Sequence, residues 1–270
     1  MQKTDARKKS IGIFDSGIGG LTVTNAIQKV LPEEHLIYFG DTAHLPYGDK
    51  SADAIRYYSL KISKFLLEQN CKMIVIACNS ASSAAYNTLL DFFEGKVLFV
   101  NVVDPLVSEV TSKNYNNIGV IATKATISSN IYRDKIKHKL QNAKIHSLAT
   151  PLLAPMIEEG FFRGEISQSV IETYLGREDF KDIDALLLAC THYPLIKKEI
   201  QAFYNYKVDV LDSTDVVAQF VRRMLETEDL LADKREKENE FHVSDFTSSF
   251  EDNAKVFYGK DLDLQTTNIW

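Results

Sequence analysis

The sequence is poor in the features that mark several protein classes. It has three cysteines, Cys71, Cys78 and Cys190. So small and odd a number in a long chain argues against a disulfide framework and for reduced thiols. No C-x-x-C pair occurs, so the close spacing typical of cysteine-based zinc sites is missing and no metal site is expected. No apolar stretch reaches the length of a membrane-spanning helix. The basic start MQKTDARKKS is followed by no signal-type apolar run before Asp15. These absences lead to the expectation of a cytoplasmic chain without a membrane span. Positive charge is not in excess either: the net charge is −6 and the pI about 5.6. That argues against nucleic-acid binding, but it leaves room for a small anionic ligand in a local pocket.

What the sequence does contain is ordinary for a globular protein, with 45% hydrophobic and 25% charged residues over 270 positions. This length suits one large domain or two small ones. Short apolar runs predict strands at SIGIFD (10–15), LIYFGD (36–41), MIVIAC (73–78), VLFVNVV (97–103), NIGVIAT (117–123), KIHSLA (144–149), ALLLAC (185–190) and KVDVLD (207–212). Helix-period segments lie between most of them, at 20–30, 51–69, 80–93, 128–140, 165–175, 194–204 and 214–226. Fully apolar strands alternating with helices predict α/β layers around parallel sheets.

The two halves echo each other. SIGIFDSG matches NIGVIATK, Ile118 following Ile11 by 107 positions, and Cys190 follows Cys78 by 112. Two matches at nearly one offset predict two pseudo-symmetric half-domains with a cleft between them. The expected first half is 1–102 together with 213–270, whose tail packs back, and the second is 103–212. Segment 226–240 is charge-rich and reads as a solvated helix end and loop.

Both cysteine strands end in Ala-Cys followed by polar residues, the place where open α/β sheets bind ligands. A lone cysteine after an apolar strand is ordinarily a packing residue, and Cys71 is read that way. Cys78 and Cys190 form a matched pair, and each precedes an expected helix start, which would stabilise a thiolate. Two thiols on opposite faces of one small ligand suit a racemase or epimerase, one removing a proton and the other returning one. His192, two residues beyond Cys190, is placed to exchange protons with that thiol. Asp15 is a partner for Cys78, a ligand for an ammonium group, or the cap of the next helix. The loop DSGIGG (15–20) has Thr22 where a dinucleotide loop needs glycine, so that motif fails. Its backbone N–H groups remain able to cradle a carboxylate.

Four blocks in order, IGIFDSGIGGLTV, YFGDTAHLPYGDKS, ACNSAS and ACTHYPL, resemble the cofactor-independent glutamate racemases of the aspartate/glutamate racemase superfamily. The similarity runs over nearly the whole chain. It implies two α/β half-domains, a homodimer, no cofactor, and interconversion of L- and D-glutamate for peptidoglycan synthesis. By resemblance Cys78 and Cys190 are the catalytic cysteines and Asp15 and His192 their assistants. Ser16, Pro46, Tyr47, Gly48, Asn79, Ser80, Thr123, Thr126 and Thr191 match substrate-contact positions. PLLAPMIEEG (151–160) resembles the block supplying a further acid, where Glu158 aligns best and Glu159 adjoins it. The chain departs from the common pattern at Ser80 (usually Thr), at Ala189 (usually Gly), and at Ala122 and Ala125, where glycines are frequent. None of these changes removes a reacting group. The other readings are a racemase of aspartate or another amino acid, and a non-catalytic amino-acid-binding regulator on the same fold.

Overall fold

The computed structural model describes residues 6–246 and 248–270. The start of the expected first half, MQKTD, and position 247 lie outside the described residues. Ten strands form two all-parallel sheets among the described residues. They are β1 (Ile11–Asp15), β2 (Leu36–Gly40), β3 (Met73–Ile76), β4 (Leu98–Asn101), β5 (Asn117–Ala122), β6 (Lys144–Ala149), β7 (Ala185–Ala189), β8 (Asp209–Asp212), β9 (Glu240–Val243) and β10 (Leu264–Thr266). The first sheet has the order β10-β9-β2-β1-β3-β4 and the second β6-β5-β7-β8. The run β2-β1-β3-β4 repeats as β6-β5-β7-β8, so the echo seen in the sequence is an echo of topology. In both sheets the strand order reverses between the first and third strands of the repeat, and ligands bind at the carboxyl ends of such switch points. The end of β1 leads into Ser16 and that of β3 into Cys78; β5 leads into Thr123 and β7 into Cys190.

The helices are α1 (Leu21–Val30), α2 (Ala52–Glu68), α3 (Asn79–Phe92), α4 (Val103–Ser112), α5 (Lys124–Ser128), α6 (Ile131–Lys139), α7 (Leu153–Glu158), α8 (Glu165–Leu175), α9 (Lys197–Phe203), α10 (Thr214–Thr227) and α11 (Ser248–Tyr258). No helix among the described residues is long and apolar enough to cross a membrane. Ser51 caps α2 by accepting the Ala54 N–H. Asp212 accepts the Thr214 N–H at 2.9 Å at the start of α10.

Three expected boundaries are corrected. The strand expected to run to Val103 stops at Asn101, whose Oδ1 accepts the N–H groups of Val103 and Asp104, both at 2.9 Å, and turns the chain into α4. The helix expected over 128–140 is broken by Asn130 in the left-handed region (φ 56°), so α6 starts at Ile131. The helix expected over 194–204 begins as a 3₁₀ turn, Tyr193–Ile196, and becomes α-helical only at Lys197.

After β8 the chain returns to the first sheet. Strand β9 pairs with β2, and β10 with β9. One apolar cluster joins the halves, with Ile13, Leu21 and Tyr38 from the first and Leu186, Tyr193 and Ile196 from the second. Helix α4 packs Val103, Leu106 and Val110 against Ile118 and Val120 of β5.

Candidate active site

A cavity of about 240 Å³ opens between the carboxyl ends of the two sheets. From the first sheet's side come Ser16, Cys78, Asn79 and Ser80, with Pro46, Tyr47 and Gly48 from the loop after β2. From the second come Thr123, Glu158, Cys190, Thr191 and His192. Both thiols therefore face one shared space, each only a few per cent exposed. Two expected residues stand behind the wall instead of lining it. Asp15 is fully buried and accepts the Gly20 N–H and, at 3.3 Å, the Thr191 hydroxyl. Thr126 is buried, its hydroxyl 3.3 Å from that of Ser80. Leu45, Ala154 and Pro155 also line the cavity. All three lie within quoted motifs, but as apolar residues they carry no chemical signal in the sequence.

Local structure fixes each reacting group. Cys78 is the N-cap of α3, its Sγ accepting the Ala81 N–H at 3.4 Å and lying 3.8 Å from the Ser16 hydroxyl. The expectation that the helix end lowers this thiol's pKa is corrected. Burial raises it, the Asp15 carboxylate adds to the rise, and the Ala81 and Ser16 contacts only partly oppose them. Cys78 therefore rests as a protonated thiol. Cys190 also departs from the expected symmetry. It precedes the 3₁₀ turn, not an α-helix, and its Sγ lies 3.7 Å from His192 Nδ1.

The other nitrogen, His192 Nε2, is 2.7 Å from Glu158 Oε1. Burial disfavours the imidazolium, but the contacts to Cys190 and Glu158 outweigh it, holding the pKa well above the usual histidine value.

The loop 15–20 does not line the cavity beyond Ser16, so the expected carboxylate cradle is not formed there. The Gly20 N–H serves the chain's own Asp15. Gly19 has a different use: a Cβ there would lie 2.5 Å from the His192 ring and the Thr191 hydroxyl. Hydroxyls also bridge the halves, Ser80 Oγ lying 2.8 Å from Thr123 Oγ1. Among the described residues, no group of three or more His, Cys, Asp or Glu side chains is placed to hold a metal ion.

Residues 11–221 match the model of the Asp/Glu/Hydantoin racemase family. The chain belongs to that family. The glutamate racemase of Aquifex pyrophilus is 40% identical over 257 residues, covering 94% of this chain and 96% of that protein. That of Chlorobaculum tepidum is 38% identical over 254 residues, 93% of each. A crystal structure of glutamate racemase from Francisella tularensis in complex with D-glutamate superposes with a TM-score of 0.92 at 36% identity, covering 97% of this chain and 98% of that one. In this member of the racemase family Cys78, Cys190, His192 and Glu158 thus surround a single space.

Proposed function

We propose that this amino-acid racemase interconverts L- and D-glutamate by two-base proton transfer at Cα, with Cys78 and Cys190 as the bases. The observation that carries the reading is the shared cavity, which both sulfurs line from opposite sheets. The relatives named as glutamate racemases support the choice of glutamate.

By the family resemblance Cys190, beside His192, acts as the base for L-glutamate. The Cα–H bond breaks, its proton goes to the Cys190 sulfur, and its electron pair delocalises into the carboxylate. The Cys78 thiol then gives its proton to the opposite face of Cα. D-glutamate reacts in the reverse sense, with Cys78 as the base. The carbanion forms next to a carboxylate, so the developing charge needs donors that are already in place. Asn79, Ser80 and Thr191 serve as those donors. Asp15 acts through Thr191 as a positioning residue, and its charge behind the wall favours an incoming ammonium. That ammonium offsets the Asp15 charge opposing a Cys78 thiolate. Each well-placed acid or base contributes roughly 10²–10⁴-fold.

The product serves peptidoglycan precursor synthesis in the cytoplasm. The enzyme works as a homodimer, a reading supported by the exposed apolar side chains Leu152, Phe161 and Ile166 close to the cavity segment 154–158. The test is circular dichroism of L-glutamate with purified protein and no added cofactor. Decay of the signal to zero supports glutamate racemisation. A stable signal with glutamate and decay with aspartate would move the activity to the other acid.

A further inference from the structure

Asn79 is the first residue of α3 and lines the cavity directly after Cys78. Its carboxamide has two chemically opposite ends of nearly equal size, and only neighbouring groups decide which end points where. The Oδ1 end is taken: the Tyr132 hydroxyl, from α6 on the other half of the molecule, lies 2.6 Å away. The Nδ2 end is buried and has no hydrogen-bond partner among the described residues. Reversing the amide would make Nδ2 donate to the tyrosine oxygen and leave the hydroxyl hydrogen without an acceptor. Tyr132 is itself buried, and burial pushes its pKa up, so it remains a donor. A buried N–H donor left open on a cavity wall is completed by an acceptor that arrives with the ligand.

We propose that Tyr132 is a positioning residue for catalysis: by donating to Asn79 Oδ1 it reserves the Asn79 amide N–H for the substrate carboxylate. This rests on the functional reading above and deepens it. A carboxylate held by Asn79 sets its own Cα beside the adjacent residue, Cys78. The contact also crosses between the halves, so the carboxylate donor is correctly turned only when α6 and α3 are together. Nothing in the local sequence IYRDKIKHK marks Tyr132; in the helical period it reads as a core aromatic.

The test is a double-mutant cycle of Tyr132→Phe, Asn79→Ala and the double variant. In the otherwise unaltered protein, Tyr132→Phe is expected to lower kcat/KM for D-glutamate roughly tenfold, mostly through KM, the size of one lost hydrogen bond to a charged group. In the Asn79→Ala background the same change is expected to cost less than about twofold, because the group it orients is gone. Thermal melting adds a second readout. Asn79→Ala orphans a buried hydroxyl and lowers Tm, and the double variant recovers part of that loss. An equal loss of kcat/KM in both backgrounds would show that Tyr132 acts only as packing and overturn the proposal. Calorimetric titration of D-glutamate into the same four proteins separates the two levels of argument. Failure of the unaltered protein to bind or racemise glutamate defeats the functional reading and this one with it. Binding with additive effects defeats the role of Tyr132 alone.

Discussion

His192 Nε2 and Glu158 Oε1 lie 2.7 Å apart, and this contact helps hold a buried imidazole in its charged form. Replacing Glu158 with Gln removes one of the groups raising the His192 pKa. The His192 titration, followed by NMR, is expected to move to lower pH, with kcat falling roughly tenfold or more in the L-to-D direction. The linked stability follows from the sign of the shift. A histidine raised in the folded state adds stability that is fully present below the unfolded value near ~6.5 and is lost as pH rises through the folded value. The urea midpoint of Glu158→Gln should therefore fall off at lower pH than that of the unaltered protein.

Gly19 permits the close approach of the two halves at His192. Gly19→Ala sets a methyl 2.5 Å from the ring and from Thr191 Oγ1, so one of them must move. Overpacking of this kind costs about 1–3 kcal/mol, and activity is expected to drop further because His192 leaves Cys190. Gly17→Ala is the control. Its methyl would meet only Leu45 at 3.6 Å, and kcat should stay near its starting value.

Lys72 staples distant parts of the chain at the amino end of β3, the end away from Cys78. Its Nζ is 2.6 Å from Glu34 Oε2 and donates to the carbonyls of Arg7 and Leu230 at 2.7 and 2.8 Å. Burial lowers the Lys72 pKa and raises that of Glu34, each opposed by the other's charge. Lys72→Met leaves a buried carboxylate unpaired and is expected to lose about 3–5 kcal/mol in urea denaturation. The kcat of the folded variant should be unchanged.

Trp270 is the single tryptophan, and its ring packs edge-on to His44 at 4.4 Å. His44 bonds Asp41 at 2.9 Å, and Asp41 accepts the hydroxyl of cavity-lining Tyr47 at 2.6 Å. Titration with D-glutamate is expected to change tryptophan emission saturably, and His44→Ala should remove most of that change.

Much of this arrangement was legible in the sequence because parallel strands buried on both faces read as continuous apolar runs. All eight expected strands are present, and the matched Ala-Cys ends do come to one cavity. The misses have local causes. Helix α4 was hidden because apolar Val102 and Val103 extend the strand pattern, while Asn101 makes the turn through its side chain. Strand β10 is three residues long and pairs with β9 at the end of the sheet, too short for a pattern. The difference between the two thiols was invisible for another reason. Cys78 owes its raised pKa to burial and Asp15, and His192 owes its raised pKa to Cys190 two positions before it together with Glu158, 34 positions away. Tyr132 and Asn79 meet across the cleft from 53 positions apart, with no periodicity to join them.

The most direct test of two thiols acting on opposite faces is to follow L-glutamate in D₂O at early times, before appreciable reversal. The product, D-glutamate, is expected to carry deuterium at Cα throughout, delivered by a solvent-exchanged Cys78 thiol, while unreacted L-glutamate stays protiated. Product that retains the substrate's own hydrogen would mean that one group both removes and returns the proton, and would contradict the two-thiol account.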